Sequence, residues 1–252
     1  MQPPALTARG LVREFRGFRA VAGVDLDIAT GSLHALVGPN GAGKTTLFHL
    51  LSAFLPVTAG QIRLDGLDIT GLPPERVARL GVARSFQIIS LFPQLSAAEH
   101  VTLALASGSG LGWRFWRSRR LMRRFDEPAR ATLDAVGLAA HADVAAQLLP
   151  YGRKRALELA LALALAPKVL LLDEPTAGMG AEDIARTIDL IARVREGRTV
   201  VMVEHNMNVV AKLADRVTVL SAGRVLAEGG YDEVRADQRV IDAYLGAAHA
   251  GD

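Results

Sequence analysis

Residues 38–45 read Gly-Pro-Asn-Gly-Ala-Gly-Lys-Thr, the spacing G-x-x-x-x-G-K-T. Few eight-residue strings constrain a fold so tightly. Gly38, Gly41 and Gly43 let the backbone curl until successive N–H groups face one centre. A loop of this kind cradles phosphates. Gly38, Pro39, Asn40, Gly41, Ala42 and Gly43 form the cradle, and Lys44 reaches the β and γ phosphates. The Thr45 hydroxyl takes one position on Mg²⁺. Thr46 continues into a helix whose positive end faces the same charge. The flanking sequence is what such a loop requires. Leu33–Val37 is a short apolar run before it, and residues 46–54 are apolar at helical spacing after it. Strand, glycine loop and helix in that order predict a nucleoside triphosphate site in an α/β fold.

The rest of the chain supports such a fold. At 252 residues, half of them hydrophobic, it suits one large α/β domain with ample core. There is no cysteine, which excludes disulfides and thiolate metal sites. The net charge of +3 selects no partner by itself. The start, Met1-Gln-Pro-Pro, carries no signal pattern, and no apolar run reaches the roughly 20 residues that span a bilayer. The nearest, Ala156–Ala166, is short and contains Glu158. A soluble or peripheral protein is expected.

Short apolar runs at Leu33–Val37, Lys168–Leu172, Thr199–Glu204 and Val217–Leu220 read as buried strands of a mostly parallel sheet. Ala181–Arg195 and Asn206–Ala214 read as the helices between them. Leu6–Ile28 holds two weaker strand-like runs, an antiparallel flank. The stretch from about Leu91 to Pro150 reads as helical. Ser96-Ala-Ala-Glu99 is a capping box opening a helix through Leu105. Ser107–Gly112 reads as a loop, and helix resumes from about Arg114 toward Val136 with a break expected at Pro128. Leu157–Ala166 alternates leucine at period two, a strand signal. Its partners are Glu and Ala, so composition predicts a buried helix ended by Pro167.

Chemistry gathers around the loop. Val169–Leu172 is apolar and is followed by Asp173 and Glu174, so a buried strand would deliver two carboxylates to the sheet edge that also holds the glycine loop. Asp173 suits Mg²⁺, and Glu174 suits orienting the attacking water. His205 emerges just past the β-branched run Thr199–Val203. Gln87 ends another short strand and is within reach of metal and water; taken alone it reads as an ordinary surface amide, and only the family pattern below raises it. Leu149-Pro150-Tyr151-Gly152-Arg153 leads into a helix that opens with Arg153, Lys154 and Arg155. Three cations at a helix N-terminus are each unfavourable by about 0.3–1 kcal/mol. An anion such as a γ-phosphate would compensate them; the alternative is that they splay into water.

The order of these elements resembles the nucleotide-binding subunit of an ABC transporter across essentially the whole chain. In that family the glycine loop, Gln87, Leu149–Arg153, Asp173-Glu174 and His205 correspond to the Walker A, Q-loop, signature, Walker B and H-loop motifs. The resemblance implies an ABC ATPase fold in one domain. A RecA-like α/β core with a β flank would span 1–90 and 167–252, and a helical subdomain about 91–166 would dock on a membrane partner. It implies ATP and Mg²⁺, transmembrane permease subunits, a second ATPase subunit arranged head to tail, and indirectly a solute-binding protein. It places the chain at the cytoplasmic face of the membrane. In the dimer, Pro150, Tyr151, Gly152 and Arg153 would meet the ATP of the partner subunit. Phe15 falls where the family stacks an aromatic ring on adenine, with Phe18 as rival. Two departures stand out: Pro150 replaces the signature serine, and Gly180 replaces the aspartate after Walker B.

The signature tyrosine, Ala177-Gly-Met179, Glu204-His205-Asn-Met207 and the ending Val240–Gly246 resemble branched-chain amino acid importer ATPases in particular. Urea or amide, aromatic-acid and lipid-export systems remain alternatives. A soluble ABC ATPase acting on nucleic acid is disfavoured by the single cassette and the absence of sustained heptads, so no nucleic-acid partner is expected. Trp113–Phe125 mixes arginine with large rings. Its readings are a helix with a solvated basic face, proximity to anionic lipid, or nucleic-acid contact.

Overall fold

The computed structural model describes residues 3–85, 91–109 and 122–249, with side chains as far as 245. The weak flank predicted over Leu6–Ile28 is two long strands, β1 (Pro4–Phe15) and β2 (Phe18–Ala29), paired antiparallel. With β4 (Ala59–Leu64) and β5 (Leu67–Asp68) they form a four-stranded sheet in the order β2-β1-β4-β5.

The second sheet carries the site. Its strands are β3 (Leu33–Val37), β6 (Val82–Arg84), β7 (Val169–Asp173), β8 (Thr199–Val203), β9 (Arg216–Ser221) and β10 (Arg224–Gly229). The order is β10-β9-β3-β8-β7-β6, parallel throughout except for β10. Every residue of β3, β7 and β8 is buried, because both faces of the sheet are covered. That is why these strands read as unbroken apolar runs rather than alternating ones.

The pleat divides the core in two. Leu33, Ala35, Leu170, Leu172, Val200 and Met202 face one cluster, which also holds Val101, Leu133 and Leu157 of the middle segment. Leu36, Val169, Leu171, Val201 and Val203 face the other, with Leu47, Phe48 and Leu51 of the first helix and Leu6, Leu11 and Ile28 of the flanking sheet. Each of the larger side chains (Val, Leu, Ile, Met, Phe) contributes about 1.5–3 kcal/mol by leaving water.

Among the described residues, α-helices include α1 (Lys44–Leu51), α2 (Pro74–Arg79), α3 (Ala97–Gly108), α4 (Asp126–Ala135), α5 (Tyr151–Leu163), α6 (Ala181–Val194), α7 (Met207–Leu213), α8 (Tyr231–Ala236) and α9 (Gln238–His249). The capping box at Ser96 and Glu99 is present in both directions, at 3.2 Å and 2.7 Å.

Three local expectations are corrected. The helix α3 does not stop at Leu105. Ser107 and Ser109 donate back to the carbonyls of Ala104 and Ala106, so the serines follow the helix instead of ending it. The break expected at Pro128 falls just before it: helical residues 122–123 give way to a turn at 124–125, and Pro128 lies in the first turn of α4, where its missing N–H has no partner to lose. Pro167 is not the residue that ends α5. The helix closes at Leu163, and the chain turns at Ala166, whose φ is +46°. Residues 113–121 of the arginine-aromatic segment, and with them the start of the helix expected from Arg114, lie outside the described residues.

Candidate nucleotide site

Since β3, β8, β7 and β6 are parallel neighbours, their C-terminal ends share one edge. The loop 38–43 leaves β3, Glu174 follows β7, and His205 lies two residues past β8. Arg84 ends β6. Gln87, three residues further on, lies outside the described residues.

The glycine loop is fixed by close backbone approaches. A Cβ on Gly38 (φ +146°) would sit 2.2 Å from the Leu220 carbonyl oxygen, and one on Gly43 (φ +98°) 2.3 Å from that of Ala20. The Gly223 amide donates to Ala42 O at 3.0 Å, and the Ala22 amide donates to Gly223 O at 2.8 Å. The loop is therefore clamped between β2 and the β9–β10 turn. Gly43 caps α1 without any side-chain acceptor, which leaves first-turn N–H groups for an anion. Lys44 is buried, and its Nζ donates to Gly38 O (2.8 Å) and Pro39 O (2.9 Å). Burial lowers its pKa, and nearby Glu174 opposes that shift. Thr45 is exposed at the helix start.

Glu174 has a φ of +46°, a conformation rarely held outside glycine. Its amide donates to Val203 O at 2.9 Å, so β7 stays tied to β8 while the chain turns. The side chain meets His205 Nε2 through Oε1 at 2.9 Å. Asp173 is 1% exposed. Burial raises its pKa, and the Arg84 guanidinium, 2.8 Å from Oδ2, counters this. Its Oδ1 is buried with no partner. An orphaned carboxylate oxygen beside a phosphate loop fits a divalent cation or its water, the role its sequence position suggests.

Glu204, to which sequence alone gives no role, is 3% exposed. One oxygen accepts from the Thr176 amide (3.1 Å) and hydroxyl, and the other from the amides of His205 (2.9 Å) and Asn206 (3.0 Å). A carboxylate at the end of an apolar strand was the available signal, since burying it alone is costly.

The signature segment is anchored within the chain. Pro150 caps α5 and Tyr151 opens it. The Tyr151 hydroxyl donates to Ala177 O (3.2 Å) and accepts from Arg155 Nε (3.2 Å) and Nη2 (3.1 Å). Arg155 also donates to buried Glu158 at 3.1 Å. A Cβ on Gly152 would lie 3.2 Å from Asp183 Oδ1. Of the three cations at this helix start, Arg155 thus meets a carboxylate of the chain itself and does not splay into water as the alternative supposed. Arg153 is exposed.

Phe15 and Phe18 are register partners at the tip of the β1–β2 hairpin, both exposed, with Arg13 stacked 4.5 Å from the Phe15 ring centroid. The approach of Gly43 to Ala20 puts this tip near the loop. At the other end of the chain, Tyr244 on α9 lines one cavity with Val37, the residue before the glycine loop, and burial raises the pKa of its phenol. The final helix thus reaches the base of the glycine loop.

The model of the ABC transporter family matches residues 21–177, well over half of the chain. The chain belongs to that family. A second model, the branched-chain amino acid ATP-binding cassette transporter, matches residues 224–250 of the cassette. The cassette is 38% identical over 257 residues to the high-affinity branched-chain amino acid transport ATP-binding protein BraF of Pseudomonas aeruginosa, covering 98% of this chain and all of that one. It is 37% identical over 255 residues to LivG of Escherichia coli (strain K12), with the same coverage. In fold it is similar to the ADP conformation of MJ1267, an ATP-binding cassette of an ABC transporter, with a TM-score of 0.84 over 96% of this chain and 99% of that one at 24% identity. The cassette is an ABC-type ATPase with a P-loop α/β fold. No helix among its described residues is long and apolar enough to cross a membrane.

Proposed function

We propose that this cassette binds and hydrolyses ATP to energise a membrane importer whose cargo is branched-chain or related amino acids. The observation that carries the catalytic part is the convergence of Lys44, Asp173 and the Glu174–His205 pair on the edge where the glycine loop leaves β3. The cargo reading rests on the relatives and on the tail match over residues 224–250.

In this reading Gly38–Thr46 wrap the phosphates and Lys44 leaves the Gly38 and Pro39 carbonyls for the β and γ phosphate oxygens. Thr45 and Asp173, with Gln87, serve Mg²⁺, which when bound neutralises phosphate charge. Glu174 orients the attacking water. His205 exchanges its Nε2–H contact with Glu174 for one to the γ-phosphate, where charge develops in the transition state. Phe15 stacks on the adenine.

A second cassette, facing head to tail, presents Gly152 and Arg153 to the same ATP. The core, 1–90 and 167–252, carries the nucleotide, and the helical part, about 91–166, docks on permease subunits at the cytoplasmic face of the membrane. A solute-binding protein delivers cargo from the other side.

Glu174→Gln is the direct test. ATP affinity should stay within about twofold while kcat falls at least 10²-fold. A variant that turns over normally would refute the role of Glu174. Membrane co-purification with a multi-spanning subunit, and ATPase stimulation in vesicles only by branched-chain amino acids with their binding protein, test the cargo. Stimulation by another solute class would overturn it.

A further inference from the structure

Arg84 belongs to none of the motifs above, yet it is the residue most closely joined to Asp173. Only 11% of its side chain is exposed. Its Nη2 gives one hydrogen to Asp173 Oδ2 at 2.8 Å and faces His49 Nε2 at 2.9 Å. The guanidinium carbon stands 4.9 Å from the Phe48 ring centroid and 5.6 Å from that of Phe54. One planar cation therefore connects β6, β7 and α1. The helix α1 is the one that opens with Lys44 and Thr45.

This contact divides the Asp173 carboxylate. Oδ2 is occupied by Arg84, and Oδ1 is buried without a partner. A carboxylate that could turn freely would offer either oxygen in varying directions. Stacking on two rings and a second bond to His49 fix the guanidinium, and the fixed guanidinium fixes the carboxylate. Lysine cannot do the same, since its ammonium has no planar face to stack on the two rings and so is not fixed by them.

We infer that Arg84 is a positioning residue for the metal carboxylate: it holds Oδ2 so that Oδ1 is the oxygen presented to Mg²⁺, and it ties that orientation to the helix of Lys44 and Thr45. The inference rests on the proposed role of Asp173 toward Mg²⁺. Partners of this outer kind typically change metal affinity by about 10–100-fold when removed.

The test uses the full chain carrying Glu174→Gln, so that ATP persists. Affinity for a fluorescent ATP analogue is measured in EDTA, and Mn²⁺ half-saturation of the nucleotide complex is followed by electron paramagnetic resonance. Arg84→Met should leave the EDTA affinity within about twofold and raise Mn²⁺ half-saturation about tenfold, and Asp173→Asn should raise it too. Arg84→Lys should be intermediate. If Asp173→Asn weakens Mn²⁺ binding and Arg84→Met does not, the role given to Arg84 is wrong. If neither changes it, Asp173 is not the metal carboxylate and both readings fall. Should Arg84→Met not fold, Arg84→Lys decides: unchanged Mn²⁺ half-saturation overturns the inference.

Discussion

Glu204 shows how one buried side chain can set a site that it does not enter. Its two oxygens take four donors from the chain on either side of the Glu174–His205 pair. Glu204→Gln leaves one acceptor oxygen and turns an NH₂ group toward N–H donors. A buried donor left unmatched costs about 1–3 kcal/mol. We expect kcat to fall about 10–100-fold through misplacement of His205, with nucleotide affinity nearly unchanged. Steady-state ATPase kinetics beside equilibrium nucleotide titration check this, and an equal loss in both would assign Glu204 to binding. Lys44, Asp173 and Glu174 were legible as residues because their spacing and strand context identify them. Glu204 and Arg84 were not, because their partners lie in other strands and helices.

The central strand β3 carries a charge-sensitive element. His34 is fully buried, with Nε2 2.7 Å from the Thr218 hydroxyl, and Glu228 of β10 and Arg216 of β9 act on it in opposite senses. That hydroxyl donates onward to Glu228 at 3.0 Å, so His34 supplies the hydrogen and is the Nε2–H tautomer. Its Nδ1 is buried without a partner. Burial lowers the His34 pKa from 6.5 to about 4. The unfolded chain therefore binds a proton that the folded one refuses. The neutral histidine's contribution is full above pH 6.5 and is lost as pH falls from 6.5 toward 4, about 3 kcal/mol in all. Urea unfolding at about pH 7.5 and about pH 5 should show the loss, and His34→Gln should flatten the slope; an unaltered slope would show that other groups cause it. In the middle segment, Ser96→Ala removes one half of the capping box and should cost about 1 kcal/mol by thermal or urea unfolding. These elements were largely readable from pattern. Their ends were not, since Ser107 bonding back to Ala104 and Pro128 sitting in a first turn depend on local geometry that spacing does not encode.

Across the whole molecule, the site has one half on the sheet edge and another, the signature helix start, anchored to the loop after β7 by Tyr151 and Ala177. In the proposed dimer these halves meet across two chains. Pro150 caps α5 without a hydroxyl. Pro150→Ser adds a hydroxyl for phosphate and a better helix cap. In a Glu174→Gln background it should tighten the ATP-driven dimer about fivefold, equivalent to one added hydrogen bond of about 1 kcal/mol. Sedimentation with and without ATP measures this, and a weaker or unchanged dimer would show that the serine position makes no contact with nucleotide here.

The sequence alone determined the triphosphate loop, the parallel sheet and the order of the motifs, because these depend on local backbone freedom and on residue periodicity. Tertiary structure decided what surrounds the reacting groups. Glu174 takes a left-handed turn against His205, Arg84 reaches from β6 to Asp173, and Tyr244 comes from the last helix to the base of the first loop. Each joins positions far apart in the chain, and such contacts arise only when distant segments are packed together around a common core.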